Sequence, residues 1–548
     1  MMSDKYEVIL ASAQQKIAPD WQPQENPVPV SLLRGDTTAF QVAMRLTNWG
    51  YEWANIKIEA DEAVKIVVRQ VRLSPANWPK PGMYPDRLSE LVATEEGYLG
   101  KIKLVPRQFR SLWIDVETDE QVAGGVYPIK VIAEDEAGEE MFTVETEAEV
   151  IPVILPAGDV YHTEWFHADC LADYYKVPVF SETHWEIVEN FVKCAAKRGM
   201  NTLLTPIFTY PLDTAVGGSR TTIQLVKIRL EQGVYEFDFS LLERWVKMCR
   251  QCGITNFEMS HLYSQWGAKY APKVIVEVDG NETELFGWHT AGTSSEYQAF
   301  LQQFLPALDE QLRQLGISEN TFFHISDEPS MRDLEQYKKA RKIVEELLPD
   351  YPIIDALTDF EFYQTGACNR PIPANNHIEP FLENDVPNLW TYYCVAQRGP
   401  ESNRFFHYSS SRARIIGAQI YKYNLAGFLH WGFNFYNSQY SVKPINPYEI
   451  TDADEAFDAG DPFLVYPSPN GQPEESYRLL MMDMAFKDIR ALKLLEKMTD
   501  RKTVLELIDK LLEKPTMTDY PHSDEPLLRL RYEVNHQISV LSKGRDCL

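Results

Sequence analysis

The chain has 548 residues, and a single hydrophobic core stops growing at about 250–300 residues, so two or three domains are expected. A composition of 44% hydrophobic and 24% charged residues excludes a disordered chain, and an aromatic share of 12% leaves a surplus for binding surfaces. Acidic residues number 80 against 53 basic, a net charge of −27 that repels phosphate backbones and anionic bilayers. Nucleic acid and membrane are therefore not expected as partners, and a neutral substrate is.

At the N-terminus, Met-Met-Ser-Asp-Lys-Tyr-Glu leads to a first apolar run, Val8 to Ala11, too short for a secretory signal. No apolar stretch reaches the length of about 18 residues that a membrane span needs. The 7 cysteines are scattered and odd in number, which suits free thiols in a reducing cytoplasm. Cys249 and Cys252 form a Cys-x-x-Cys at a helix end without a second pair, so core packing is expected of them rather than zinc or redox chemistry.

Residues 1–155 read as short alternating strands: Ala39 to Leu46, Asn55 to Ala60, Lys65 to Leu73, Leu112 to Glu117, Tyr127 to Ala133 and Phe142 to Val150. Turn residues separate them, so an antiparallel β-sandwich is expected. Ile151 to Gly158, with two prolines, reads as a stiff linker. Over residues 159–500 strand-like runs alternate with helices. Val160 to Phe166 precedes a helix at His184 to Arg198, Thr202 to Phe208 one at Leu241, Thr255 to Leu262 one at Tyr297 to Leu315, and Thr321 to Ser326 one at Arg332 to Leu348. Tyr351 to Leu357, Asn388 to Cys394 and Gly427 to Phe433 are further strands, and one near Asn375 to Pro380 is poorly marked. So many β–α units favour a (β/α)8-like (TIM) barrel. Lys273 to Gly287 alternates about Asp279-Gly280 and predicts a hairpin on the catalytic face. Helices at Ser476 to Met498, Val504 to Leu512 and Leu527 to Leu541 follow, residues 501–548 forming a C-terminal helical extension.

Phe322-Phe-His-Ile-Ser-Asp327-Glu328-Pro329 carries the sharpest chemical signal: an apolar strand ends in two carboxylates. Strand C-termini line the active site of such barrels. Adjacent carboxylates raise one another's pKa, which makes a usable general acid of a glutamate. The same residues also suit the start of a helix. Four further groups sit at strand ends: Trp165 with His167 and Asp169, His261 within Met259 to Trp266, Trp390 with Tyr392 and Tyr393, and Trp431 with Asn434. Each joins an aromatic face to hydrogen-bonding groups, the combination a sugar needs. His167, Asp169 and His261 are an alternative metal site, but no ligand-like spacing supports them, and no nucleotide-binding or serine-hydrolase motif is present. No metal and no cofactor are expected.

At these motifs the chain resembles glycoside hydrolase family 123 over about residues 160–500. Trp165-Phe-His167-Ala-Asp169-Cys, Ile325-Ser-Asp327-Glu328-Pro, Tyr392-Tyr393-Cys394 followed by Asn403-Arg404, and Arg412 carry the resemblance. So do Gly427-Phe-Leu-His-Trp431-Gly-Phe-Asn434, Gly460-Asp461 to Pro467 and Ser476-Tyr-Arg478. The resemblance implies a retaining exo-β-N-acetylgalactosaminidase acting on a glycan or glycoside with a terminal N-acetylhexosamine. The substrate's acetamido oxygen is then the nucleophile, Asp327 polarises that group, and Glu328 is acid and then base. Arg404 joins the strand-end residues as a candidate sugar contact. A protein nucleophile would instead sit about 5–5.5 Å from the acid, across the sugar, and Glu361 is the best candidate for it. Two departures stand out: Val395-Ala-Gln-Arg-Gly-Pro400 displaces a proline, and the segment 437–462 is long. Another glycosidase on this scaffold, or a non-catalytic carbohydrate-binding protein, are the alternatives. The oligomeric state is left open.

Overall fold

The computed structural model describes residues 5–23, 29–94 and 97–545. The first four residues, read above for a leader, and Cys547 lie outside that range. Among the described residues no helix is long and apolar enough to cross a membrane.

The N-terminal region is sheet-rich. One five-stranded antiparallel sheet runs in the order Tyr6–Ser12, Thr37–Leu46, Arg110–Glu117, Lys65–Ala76, Gly82–Glu90. A second runs Val30–Arg34, Glu140–Ile154, Gly125–Glu134, Glu52–Ala60, Gly100–Leu104. Alternation turns Val42, Met44 and Ile114 of the first sheet and Ile56, Val131 and Ala148 of the second into one shared core. Two expectations are corrected. Val30–Arg34 joins Glu140–Ile154 in parallel, so the pairing is not wholly antiparallel. The presumed linker is strand as far as Ile154, because Pro152, which cannot donate to a ladder, falls in a register shift between Ile151 and Ile154.

The following region contains a six-stranded parallel sheet in the order Thr321–Phe322, Asn256–Met259, Thr202–Thr205, Tyr161–Glu164, Gly427–His430, Trp390–Tyr392. Its strands are buried on both faces, as a parallel sheet under helices requires. Asp355–Ala356 and Pro371–Ile372 form a separate parallel pair. Single parallel bridges, Phe323 to Ile353 and Ala374 to Tyr392, lie between the two sheets. The poorly marked strand is Pro371–Ile372; Asn375–His377, where it was expected, is a 3-10 turn. Thr321 to Ser326 keeps ladder pairing only at Thr321–Phe322. Glu182–Lys197, Ser240–Cys252, Ser295–Gln314 and Leu334–Leu347 are the intervening helices. Ser181 and Ser294 cap two of them through their hydroxyls. Cys249 is buried in the Ser240–Cys252 helix, and the six described cysteines are free.

The hairpin Val274–Val278/Asn281–Phe286 forms as expected, but it pairs with a second hairpin, Lys227–Glu231/Val234–Asp238, in a four-stranded sheet. Phe286 and Tyr235 pack on Phe300 of the Ser295–Gln314 helix, with ring centroids 5.0 and 5.1 Å away. The C-terminal helices Tyr477–Met498, Arg501–Leu511 and Glu525–Arg545 do more than cover the parallel sheet. Their leucines share a core with Leu33, Ile151 and Leu155, and Asn535 donates to Ser31, tying the last helix to the N-terminal sheets.

Candidate active site

Asp327 and Glu328 lie on the wall of a cavity of about 190 Å³ at the C-terminal ends of the parallel strands. Three other cavities are larger, about 270, 320 and 950 Å³, the first of them between the N-terminal sheets and the C-terminal helices. In that one Asp488 pairs with Arg414 and Arg531, and Asp36 with Arg531, so chemistry rather than size selects the cavity of the two acids. Neither acid caps a helix: a 3-10 turn at Met331–Asp333 and Asp333 itself precede Leu334–Leu347.

The backbone at the cavity is held in a conformation L-residues avoid. Asp213, Trp266, Glu328 and Tyr440, all on the wall, have φ of 39°, 58°, 42° and 58°. Such residues cost of order 1–3 kcal/mol each and persist where surrounding bonds fix them. Here the Glu328 N–H donates to Ala356 O at 3.0 Å and the Trp266 N–H to Asp327 O at 2.7 Å. Asp213 accepts the Tyr440 N–H on its Oδ2 at 3.0 Å and the Ser441 hydroxyl on its carbonyl at 2.7 Å.

Burial, and for Asp327 the neighbouring Glu328 charge, push both carboxyls above their ordinary values. The Tyr392 hydroxyl donates to Glu328 Oε1 at 2.6 Å and opposes the rise at that residue. Asp213 is pushed up to about 6 by burial. An acidic dyad whose members are tuned by different neighbours can divide the roles of proton donor and anion.

Of the residues expected from sequence, Trp165, His167, Tyr392 and Trp431 share this wall with the two acids. The other six stand behind it or apart. Asp169 is fully buried and paired with Arg220, Oδ2 to Nε at 2.8 Å, and Arg220 also meets His167 Nδ1 at 3.0 Å. That guanidinium occupies the space a His167–Asp169 metal site would need. Asn434 clamps the His167 peptide with two bonds of 2.8 and 3.1 Å. Arg404 holds Glu164 at 2.7 Å and His430 Nδ1 at 2.6 Å. His430 in turn approaches Asp461 at 3.3 Å, and Asp461 accepts the Trp431 indole N–H at 2.9 Å. Burial drives Asp461 up to about 7, although Arg404 and the Trp431 indole oppose it. Tyr393 is buried with its hydroxyl 3.2 Å from Met482 Sδ. Trp390 stacks on Tyr161 at 5.1 Å, and a Cβ on Gly427 would stand 2.4 Å from its ring. His261 is buried against His324. Glu361 is exposed on Glu361–Gln364 and does not line the cavity.

Asp213 and Tyr440 were not anticipated. Asp213 follows Tyr210-Pro-Leu, a loop without a motif, and Tyr440 belongs to the long segment 437–462 whose length was the available signal. The expected hairpin at residues 274–286 contributes nothing to the wall among the described residues.

Two carboxylic acids beside aromatic faces in one cavity are the equipment of a sugar-cleaving enzyme, and residues 165–495 match the model of the glycoside hydrolase 123 catalytic domain. The protein is a glycoside hydrolase. It belongs to glycoside hydrolase family 123. A solved family 123 glycoside hydrolase from Clostridium perfringens, studied for glycolipid glycan hydrolysis, superposes with a TM-score of 0.74 at 17% identity, over 99% of this chain and 100% of that one. A Parabacteroides merdae β-glucuronidase gives a TM-score of 0.30 at 10% identity over 90% of this chain and 51% of its own. An Eisenbergiella tayi family 2 β-galacturonidase gives 0.31 at 9% over 82% and 68%. No curated protein sequence matches the chain.

Proposed function

We propose that the protein is a retaining exo-glycosidase that removes terminal β-N-acetylgalactosamine with the help of the substrate's own acetamido group. The observation that carries this is the pairing of Asp327 with a Glu328 whose carboxyl is fixed by Tyr392 at 2.6 Å, both on one cavity wall. Glu328, raised by burial, protonates the leaving oxygen and then deprotonates water. Asp327 accepts the acetamido N–H and stabilises the charge that develops on the oxazolinium ring. Burial raises both acids, and an amide N–H donated to Asp327 favours its ionised form while Glu328 keeps the proton. Trp165 and Trp431 offer the apolar faces, and the cavity of about 190 Å³ suits one terminal sugar.

The Clostridium perfringens relative acts on glycolipid glycans, and a glycan ending in N-acetylhexosamine is the corresponding substrate class here. We also read the eight parallel strands as one irregular (β/α)8 barrel, supported by the bridges at Phe323–Ile353 and Ala374–Tyr392. The domain division proposed is 1–155, 159–500 and 501–548. A second reading is favoured by Asp213: as a third carboxylate on the wall it replaces Glu361 as the candidate nucleophile of a double displacement.

Glu328→Gln tests the assignment. Turnover of a poor leaving group should fall by about a hundredfold or more, and much less for an acidic phenol that needs no protonation. Near-native activity on the poor leaving group would remove Glu328 from the role.

A further inference from the structure

Behind the two acids lies a chain of buried polar groups that the proposed reaction leaves unused. His324, three residues before Asp327, is fully buried. Its Nε2 lies 3.1 Å from Glu258 Oε2 and its Nδ1 lies 3.6 Å from Asp355 Oδ1. Glu258 also accepts the indole N–H of Trp165, a cavity-wall residue, at 2.9 Å. Asp355 Oδ1 accepts the backbone N–H groups of Ile325 and Ser326 at 2.9 and 3.3 Å, and its Oδ2 accepts the Tyr337 hydroxyl at 2.5 Å. One carboxylate therefore stands beside the imidazole and holds the two peptide groups that lead into Asp327.

Burial alone would drive His324 neutral, but the nearby Asp355 carboxylate and the hydrogen bond and charge of Glu258 outweigh it and push the imidazole up to about 9. It is a cation at neutral pH. The groups that face it are Glu258, Asp355, Asp327 and His261. His261 stays neutral, through burial and through this cation. For Asp327 the cation opposes burial and the charges of Glu328, Asp355 and Asp213.

His261, His324 and Asp355 each bring a donor atom within 4.8 Å of the others, a group that could hold a metal, and no other such group occurs among the described residues. The geometry disfavours it. The two imidazoles stack at 4.4 Å and 20°, so their in-plane lone pairs run side by side instead of converging. Asp355 Oδ1 is already occupied by two N–H groups.

We propose that His324, lying between Glu258 and Asp355, is a positioning residue whose positive charge offsets part of the burial at Asp327, so that an acetamido N–H can draw Asp327 into its carboxylate form while Asp355 aims it. This rests on Asp327 being the group that polarises the acetamido substituent. The test is kcat and KM against pH for the wild type, His324→Gln and Asp355→Asn, on whichever aryl glycoside of a sugar panel is turned over fastest. In His324→Gln the acidic limb of kcat/KM should move up by about one pH unit, because loss of a nearby cation raises a carboxylate's pKa. The loss below neutral pH should fall mainly on kcat. Asp355→Asn, whose amide oxygen still accepts the Ile325 N–H, also removes an anion that raises Asp327, so its limb should move up by less than that of His324→Gln. Histidine-labelled wild-type enzyme should show one ring still protonated at about pH 7.5, a signal displaced in Asp355→Asn. An acidic limb unchanged in both variants, the absence of any protonated ring, or stoichiometric zinc that survives chelation and is lost with His261→Ala would each overturn the proposal. Failure of the acetamido assignment would appear separately, in which sugar of the panel is cleaved.

Discussion

Replacing Tyr392 by Phe removes one hydroxyl and nothing else of consequence. The ring is 4% exposed and packed, so the fold should persist. What is lost is the bond from the hydroxyl to Glu328 Oε1 at 2.6 Å. A hydrogen bond to an ionised group contributes about 1.5–3 kcal/mol, and about 1.36 kcal/mol corresponds to one pH unit. The hydroxyl donates, so it favours the Glu328 carboxylate and holds its pKa down. Without it that pKa rises by about one to two units, and the basic limb of kcat/KM, where the acid loses its proton, moves to higher pH by the same amount. A pH–rate profile on an aryl glycoside with a poor leaving group reads this directly. The fall in kcat at the new optimum should be smaller than the roughly hundredfold loss expected of Glu328→Gln. A basic limb that stays put or moves down would refute the claim that this bond tunes the acid.

The dyad should also be legible in stability. Both carboxyls have folded-state values raised by burial, so their contribution is present below the unfolded pKa and is lost as pH rises through the folded one. Glu328→Gln should therefore melt above the wild type near pH 7.5, with the gap closing toward about pH 4; a variant equally destabilised at both values would contradict this. Arg404→Ala should cost about 3–5 kcal/mol in urea unfolding, because Glu164, fully buried, is left without its guanidinium partner. Trp431→Phe should raise KM, since the ring faces the cavity, and cost about 1–3 kcal/mol of stability, less than Arg404→Ala, because buried Asp461 loses the indole N–H.

Much of the architecture was legible because strands buried on both faces and amphipathic helices leave unmistakable periodicities. The runs at Thr202–Thr205, Asn256–Met259 and Gly427–His430 and the helices that follow the first two were located from the sequence. Strands of two residues, such as Pro371–Ile372, carry too little pattern to find. Val30–Arg34 was missed for a different reason: it is an edge strand whose partner, Glu140–Ile154, lies more than a hundred residues away. At the site, strand-end motifs delivered Asp327, Glu328, Trp165, His167, Tyr392 and Trp431 to the wall. The same motifs delivered Asp169, Asn434 and Arg404 to the supports behind it. A polar residue that touches sugar and one that anchors its neighbour look alike in a linear pattern; only burial and partners separate them. Asp213 escaped because a loop residue pinned by a distant segment at Tyr440 has no local signature.

The central claim is that the 2-acetamido group is the nucleophile. Its most direct test is the rate of hydrolysis of aryl β-N-acetylgalactosaminide beside the corresponding aryl β-galactoside, which differ only in that group. The account predicts turnover of the first and essentially none of the second. Comparable turnover of the two, with a covalent sugar trapped on Asp213, would contradict it.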